Sequence, residues 1–187
     1  MSSVALILAE GFEEVEALTP VDLLRRAKIG CDTVSLRGDR SVVGSHGIAV
    51  TADKRWEEMD FDAYDGVILP GGLAGTKRLM DDPRVEALLR RFAAAGKLTA
   101  AICAAPTVLA KAGLLEGKRA VCYPGLEDKL FGATVCYDPA VRDGTVITGR
   151  GMGASVPFGL ALVAYFEGQD TAEALAAKIV YRKEDQA

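Results

Sequence analysis

Leu98-Thr-Ala-Ala-Ile-Cys103-Ala-Ala-Pro106-Thr-Val-Leu-Ala-Lys-Ala112 decides the fold, because its periodicity changes in mid-stretch. Residues 98–102 are small or apolar without alternation, the composition of a strand covered on both faces. Beyond the cysteine, Ala105, Val108, Leu109 and Ala112 fall at helical spacing, and Pro106 stands where a first helical turn tolerates a missing N–H. The stretch therefore reads as a buried strand running straight into a helix, with Cys103 at the corner. A thiol at a helix N-terminus faces unpaired N–H groups and the positive end of the macrodipole, which favours its thiolate. A packed core cysteine is the other reading of the same residue.

The same strand-to-loop pattern recurs on either side. Val4-Ala-Leu-Ile-Leu8 is a nearly continuous apolar run that ends at Ala9-Glu10-Gly11. Residues 13–28 then show helical spacing, with Val15, Leu18, Val21, Leu24 and Ala27 in the apolar stripe and Gly30 placed to end the helix. A strand follows over 31–36. Turn signals at 37–40 and 44–47 predict a small hairpin excursion. Asp65-Gly-Val-Ile-Leu-Pro-Gly-Gly72 is a further strand with a glycine-rich exit, followed by an amphipathic helix over 83–95. After Gly113 come a strand at 119–122, a short helix at 126–131 and an extended piece at 134–137. Thr145-Val-Ile-Thr148 runs into Gly149-Arg-Gly-Met-Gly153, and helices over 154–166 and 171–180 precede a polar tail, 181–187. The alternation predicts one α/β domain over 1–187, a three-layer sandwich with a mostly parallel sheet. In such sheets the loops leaving the carboxyl ends of the strands share one edge, where ligands bind. The loops at 10–16, 70–75, 103–106 and 149–153 all leave in that direction.

Composition narrows the function classes. The chain has 187 residues, half of them hydrophobic, and a net charge of −4 with its basic residues scattered. Nothing in it asks for nucleic acid, and no apolar run reaches the length of a membrane span. The N-terminal Met-Ser-Ser leads directly into a strand, so a cytoplasmic protein is expected. Cys31, Cys103, Cys122 and Cys136 lie far apart without CxxC spacing, and the single His46 cannot complete a Cys/His zinc set. Neither a structural metal nor a disulfide framework is expected.

Glu16 is the acid that stands out. Pro20, Leu23 and Ala27 continue its line along the helix, so this carboxylate shares an otherwise apolar face, where its pKa should rise. A group of that kind can both give and take a proton. Solvation at the positive helix end is the competing reading, and for Glu13 and Glu14 it is the preferred one. The N–H groups at Gly71 and Gly72, with that of Ala104, can form an oxyanion hole, though a tight turn also requires glycine. Gly149 to Gly153 matches no phosphate-cradle spacing. Thr148, Arg150 and Ser155 read as polar groups at a pocket rim and a helix start. His46 reads as an exposed loop residue.

Taken together, Ile7-Leu-Ala-Glu-Gly-Phe-Glu-Glu-Val-Glu16, Pro20-Val-Asp-Leu-Leu-Arg-Arg-Ala27, Tyr64-Asp-Gly-Val-Ile-Leu-Pro-Gly-Gly72, Ala100-Ala-Ile-Cys-Ala-Ala-Pro106, Asp128-Lys129 and Gly149-Arg-Gly-Met-Gly153 resemble the DJ-1/ThiJ/PfpI superfamily. The branch most similar is that of the parkinsonism-associated DJ-1 protein and its bacterial relatives. The resemblance implies a flavodoxin-like, class I glutamine amidotransferase-like sandwich that forms a homodimer, with Cys103 on a nucleophile elbow. It makes Cys103 the reactive cysteine and Glu16 the carboxyl bonded to its sulfur, with the amides of Gly72 and Ala104 as the oxyanion site. Gly71, Tyr123, Glu13 and, from the partner subunit, His46 become pocket candidates. The implied activity is cofactor-free conversion of small aldehydes, as a glyoxalase making lactate from methylglyoxal, or deglycation of glycated substrates. A redox sensor or chaperone whose cysteine oxidises to sulfinate is the alternative, and a cysteine peptidase or amidase a lesser one. Where a relative carries His-Pro before the Asp-Lys pair, this chain has Tyr123-Pro124, which removes an imidazole from the expected site.

Overall fold

The computed structural model describes residues 2–181. Chain order is β1 (Ser3–Leu8), α1 (Glu14–Arg26), β2 (Gly30–Ser35), β3 (Ser41–Val43), β4 (Ala49–Thr51), β5 (Lys54–Arg55), β6 (Gly66–Leu69), α2 (Leu73–Asp81), α3 (Pro83–Ala94), β7 (Leu98–Ile102), α4 (Pro106–Lys111), β8 (Arg119–Ala120), β9 (Thr134–Val135), β10 (Ala140–Asp143), β11 (Val146–Gly149), α5 (Ser155–Glu167) and α6 (Gln169–Lys178). One sheet runs β10-β11-β7-β6-β1-β2-β5. All its pairings are parallel except β10 with β11.

The two faces of this sheet explain the unbroken apolar runs. Along β1, Val4, Leu6 and Leu8 enter a core shared with α1, α5 and α6, while Ala5 and Ile7 enter a second core under α3 and α4. Every position is buried on one side or the other, so strand alternation leaves no polar residue in the run. Helices thus cover both faces of a mainly parallel sheet, the flavodoxin-like arrangement expected from the sequence.

The strand order places the site. From β1 the chain winds outward through β2 to β5, then returns to β6 and winds the other way through β7 to β11. The switch lies between β1 and β6, where connections leave in opposite directions and open a crevice at the carboxyl ends. The loops after β1 and β6 face each other across it. The hairpin β3–β4 ties down onto the first of these loops, with the Gly11 N–H donating to the Val43 carbonyl at 2.8 Å.

Several local expectations are corrected. Helix α1 ends at Arg26, and Lys28, not Gly30, takes the left-handed position at φ 62°. Ile29 N–H closes back onto the Leu24 carbonyl at 3.0 Å and Ile29 becomes buried, so the closure is anchored by a hydrophobic contact and Gly30 is free to open β2. The buried stripe of α1 is Ala17, Pro20, Val21, Leu23 and Leu24, whereas Val15 and Leu18 are exposed. Helix α2 and edge strand β10 were not among the expected elements, and the helix expected at 126–131 is one 3-10 turn, Glu127–Lys129. Residues 182–187 of the expected polar tail lie outside the described residues. Among the described residues, no helix is long and apolar enough to cross a membrane.

Candidate active site

Cys103 is the residue at which β7 stops being a strand. Its φ of 65° is left-handed, a conformation that costs an L-residue roughly 1–2 kcal/mol and is held only when its surroundings over-determine it. Here they do so from two sides. The Cys103 N–H donates to the Gly149 carbonyl on β11 at 2.9 Å, and the Cys103 carbonyl accepts from the Tyr123 N–H at 2.8 Å. Clamped between neighbouring segments, the half-buried side chain is turned towards the crevice. Helix α4 begins three residues later and is only six residues long. The macrodipole expected to act on the thiol is correspondingly short, and the donors that reach the sulfur are individual N–H groups, those of Ala104 and Gly72.

Glu16 reaches the same point from α1. Its carboxyl is buried at 1 % exposure, hydrogen-bonds the Cys103 thiol and accepts the Gly71 N–H at 3.0 Å. Burial raises its pKa to about 7, the bond to Cys103 and the Gly71 N–H opposing and the nearby Glu13 charge adding to the rise. The thiol is pushed up to about 12, first by burial and then by the Glu16 charge and hydrogen bond, against the pull of the Ala104 and Gly72 amides. The pair therefore loses its first proton near neutrality and holds its second tightly. This corrects the expectation of a thiolate set free by a helix end. The anion here belongs to the pair, and a thiolate exists only while Glu16 carries the proton.

The glycines divide between two jobs. Gly71 was expected to offer its N–H to a substrate oxygen, but Glu16 already occupies that N–H; only Gly72 and Ala104 remain for the reacting centre. A Cβ at Gly71 would press on Glu16 Oε2 and stand 2.7 Å from Cys103 Cβ. Gly71→Ala is accordingly expected to push the carboxyl off the sulfur, to remove most cysteine reactivity towards iodoacetamide and to lower stability by about 1–3 kcal/mol, as overpacking does. Unchanged alkylation kinetics in that variant would show that the contact does not govern the thiol.

The remaining candidates lie around this centre. Glu13 caps α1, its carboxylate accepting the Glu16 N–H at 2.7 Å, which fixes the turn that aims Glu16. Glu14, expected to be solvated, is buried. Burial by itself would raise its pKa, yet bonds from the His46 side chain and backbone, its own N–H and the Ile48 N–H hold it at about 2. His46 is exposed, with Nδ1 3.0 Å from Glu14 Oε2, and the imidazole is shifted upward chiefly by that bond. Nothing in the sequence pattern of α1 marks this clamp between helix and hairpin. Glu13, Glu14 and His46 also form the one group of potential metal-binding side chains among the described residues, though Glu14 is already saturated with donors. Tyr123 stands at the rim, half exposed, where its N–H holds the elbow. Ser155 is the first residue of α5, its buried hydroxyl donating back to the Met152 carbonyl at 2.7 Å. Arg150 is turned away to the Tyr137 carbonyl, and Thr148 is fully buried, its hydroxyl accepting the Val121 N–H, so it does not line a rim.

The chain as a whole is similar to known proteins. The sequence matches the DJ-1/PfpI family over residues 2–165. It is 37 % identical over 176 residues to protein dj-1beta of Drosophila melanogaster, covering 93 % of this chain and 94 % of that one. A Pyrococcus abyssi protein named a deglycase is 34 % identical over 150 residues, 79 % of this chain and 89 % of its own. Among solved structures, a DJ-1 superfamily protein from Salmonella typhimurium superposes with a TM-score of 0.92 at 38 % identity, covering 97 % of this chain and 100 % of that one.

Proposed function

The chain belongs to the DJ-1/PfpI family, and from that premise we propose that it is a cysteine-dependent enzyme acting on reactive carbonyl compounds. The observation that carries this reading is the arrangement at the elbow: the buried Glu16 carboxyl, held by the Gly71 N–H at 3.0 Å, lies against the half-buried thiol of Cys103 in its left-handed conformation, and the Gly72 and Ala104 amides face the same sulfur. With an α-oxoaldehyde such as methylglyoxal, Cys103 Sγ adds to the aldehyde carbon as the C=O bond opens. The oxygen takes a proton and settles against the Gly72 and Ala104 N–H groups. Glu16, now a carboxylate, removes the proton from that carbon and delivers it to the neighbouring carbon, while the hydroxyl proton of the first carbon passes to the former ketone oxygen. The first carbon is thereby oxidised and the second reduced, leaving a thioester. Water then breaks the C–S bond, which gives lactate and restores the thiol. Every atom in this sequence comes from substrate, water and the two side chains.

The test is lactate formation from methylglyoxal by purified protein, with Cys103→Ser as its control. The same amides suit the oxygens of a sulfinate, which supports a redox-sensing reading as the second choice. A Cys103 that gains two oxygens under mild peroxide, in a protein making no lactate, selects it. We also infer a homodimer. Val15 and Leu18 on α1, with Val43 and Ile48 on and beside the hairpin, leave apolar surface exposed on adjoining elements, which a second copy would cover. Light scattering is expected to give twice the chain mass, and Ile48→Asp to reduce it to one; a wild-type monomer refutes the assembly.

A further inference from the structure

The walls around Cys103 are closed on one side and open on the other. A Cβ at Gly71 would stand 2.7 Å from Cys103 Cβ, and one at Gly72 would stand 2.7 Å from the Glu13 backbone nitrogen. The loops that follow β1 and β6 are also joined by main-chain bonds, the Glu13 N–H to the Gly71 carbonyl at 3.0 Å and the Gly75 N–H to the Gly11 carbonyl at 3.1 Å, so no substituent passes between them. The opposite wall is formed by Tyr123 and the turn at 151–153. Tyr123 is held there by its N–H, which donates to the Cys103 carbonyl at 2.8 Å. Its ring packs over Gly151, 3.4 Å from where a Cβ would be, and still leaves 51 % of the residue exposed. A Cβ at Gly153 would meet nothing within 4 Å, and Met152 between the two glycines is exposed. This side offers an aromatic face and open apolar space, while the charge of Arg150 is turned away to the Tyr137 carbonyl.

We propose that Tyr123 is the specificity-determining residue of the site, its ring contacting the substituent of the substrate and selecting α-oxoaldehydes with an aromatic or extended apolar group over methylglyoxal. This rests on the carbonyl reading above and adds the substrate class to it. A substituent on the ketone carbon has no exit through the glycine wall and leaves past the Tyr123 ring. Aromatic groups stack offset or edge-on against such a face, whereas a methyl group is too small to reach it. The chemistry is otherwise the same: phenylglyoxal adds through its aldehyde, a proton passes between the two carbons, and water releases mandelate without net oxidation.

The experiment compares kcat/KM for phenylglyoxal and methylglyoxal, read as mandelate and lactate. The wild type is expected to favour phenylglyoxal by about tenfold, the discrimination an apolar contact of this size supplies. Tyr123→Phe should keep the preference, because the ring and not the hydroxyl makes the contact. Tyr123→Ala should abolish it, the change falling on KM for phenylglyoxal and not on kcat. Equal kcat/KM in the wild type, or a preference that survives Tyr123→Ala, overturns the proposal. If neither aldehyde is turned over, the carbonyl reading has failed, and Tyr123 is judged by alkylation of Cys103 with phenacyl bromide against iodoacetamide, each normalised to free cysteine. A phenacyl preference that Tyr123→Ala removes then supports the aromatic contact; no preference, or one the variant keeps, refutes it.

Discussion

Cys103→Ser is expected to reduce lactate formation from methylglyoxal to the rate without protein, a loss of at least about 10³-fold, or about 4 kcal/mol of transition-state stabilisation. A serine hydroxyl in the same place is a far poorer nucleophile, and Glu16, with a pKa of about 7, is too weak a base to ionise it. The fold should be indifferent to the change. Cys103 takes its left-handed φ from bonds made by its backbone N–H to Gly149 and by its carbonyl to Tyr123, and serine leaves both in place. A thermal midpoint within a few degrees of wild type, beside lost activity, separates chemistry from folding. Cys103→Gly sharpens the point: it removes the strain of about 1–2 kcal/mol that an L-residue carries there, so it should be at least as stable while equally inactive. Lactate production that persists in Cys103→Ser would end the nucleophile assignment, whatever the stability.

That the elbow is strained, and still kept, follows from the topology. Strand β7 lies between β6 and β11, so its last residue can be held by main-chain bonds from a neighbouring strand end on one side and the Tyr123 segment on the other. One bond thus comes from the sheet, at the end of β11, and the other from the Tyr123 segment outside it, so the conformation of Cys103 depends on both.

The inner strands and the pairing of Cys103 with Glu16 were legible in the sequence for the same reason. Residues buried on both faces of β1 and β7 produce apolar runs that no exposed element shows, and a carboxylate on the apolar line of α1 violates a pattern its neighbours obey. Helix α2 was missed because it is nine residues long and buries one large side chain, Leu79, beside Gly75 and Thr76, so its inner face lacks the repeated large apolar residues that mark α3. The role of Gly71 was misread because a backbone donor has no side-chain signature, and sequence cannot say which of several adjacent N–H groups meets the carboxylate. Glu14 was misread because its partners come from the hairpin some thirty residues further on. The free thiolate expected at the corner failed on magnitude: a helix end six residues long does not offset burial and a carboxylate in contact with the sulfur.

Glu16→Gln should separate the two roles of the pair through pH. In the wild type the reactive anion forms as the pair loses its first proton, so alkylation of Cys103 and kcat/KM should both rise through about pH 7. Glutamine keeps the shape, can still accept the Gly71 N–H and can still bond the sulfur, but it supplies no proton to exchange. Ionisation then falls to the thiol alone, which burial holds high, and the onset of alkylation should move upward, well above pH 7. Turnover should drop by about 10²–10⁴-fold, the contribution of a placed acid–base group. Stability should move in the opposite sense. Because the folded-state pKa of Glu16 is raised from 4.5 to about 7, its contribution is fully present below 4.5 and is lost as pH rises through 7. The wild type should therefore lose on the order of 3 kcal/mol across that window at about 1.4 kcal/mol per unit, while the glutamine variant, which does not titrate, loses none of it. Denaturant melts at pH 5 and pH 8 measure this directly: the variant gains on the wild type at the higher pH. An alkylation onset that stays near pH 7 in Glu16→Gln, with turnover unchanged, would mean that the proton is carried by another group and that Glu16 only fills space beneath the sulfur.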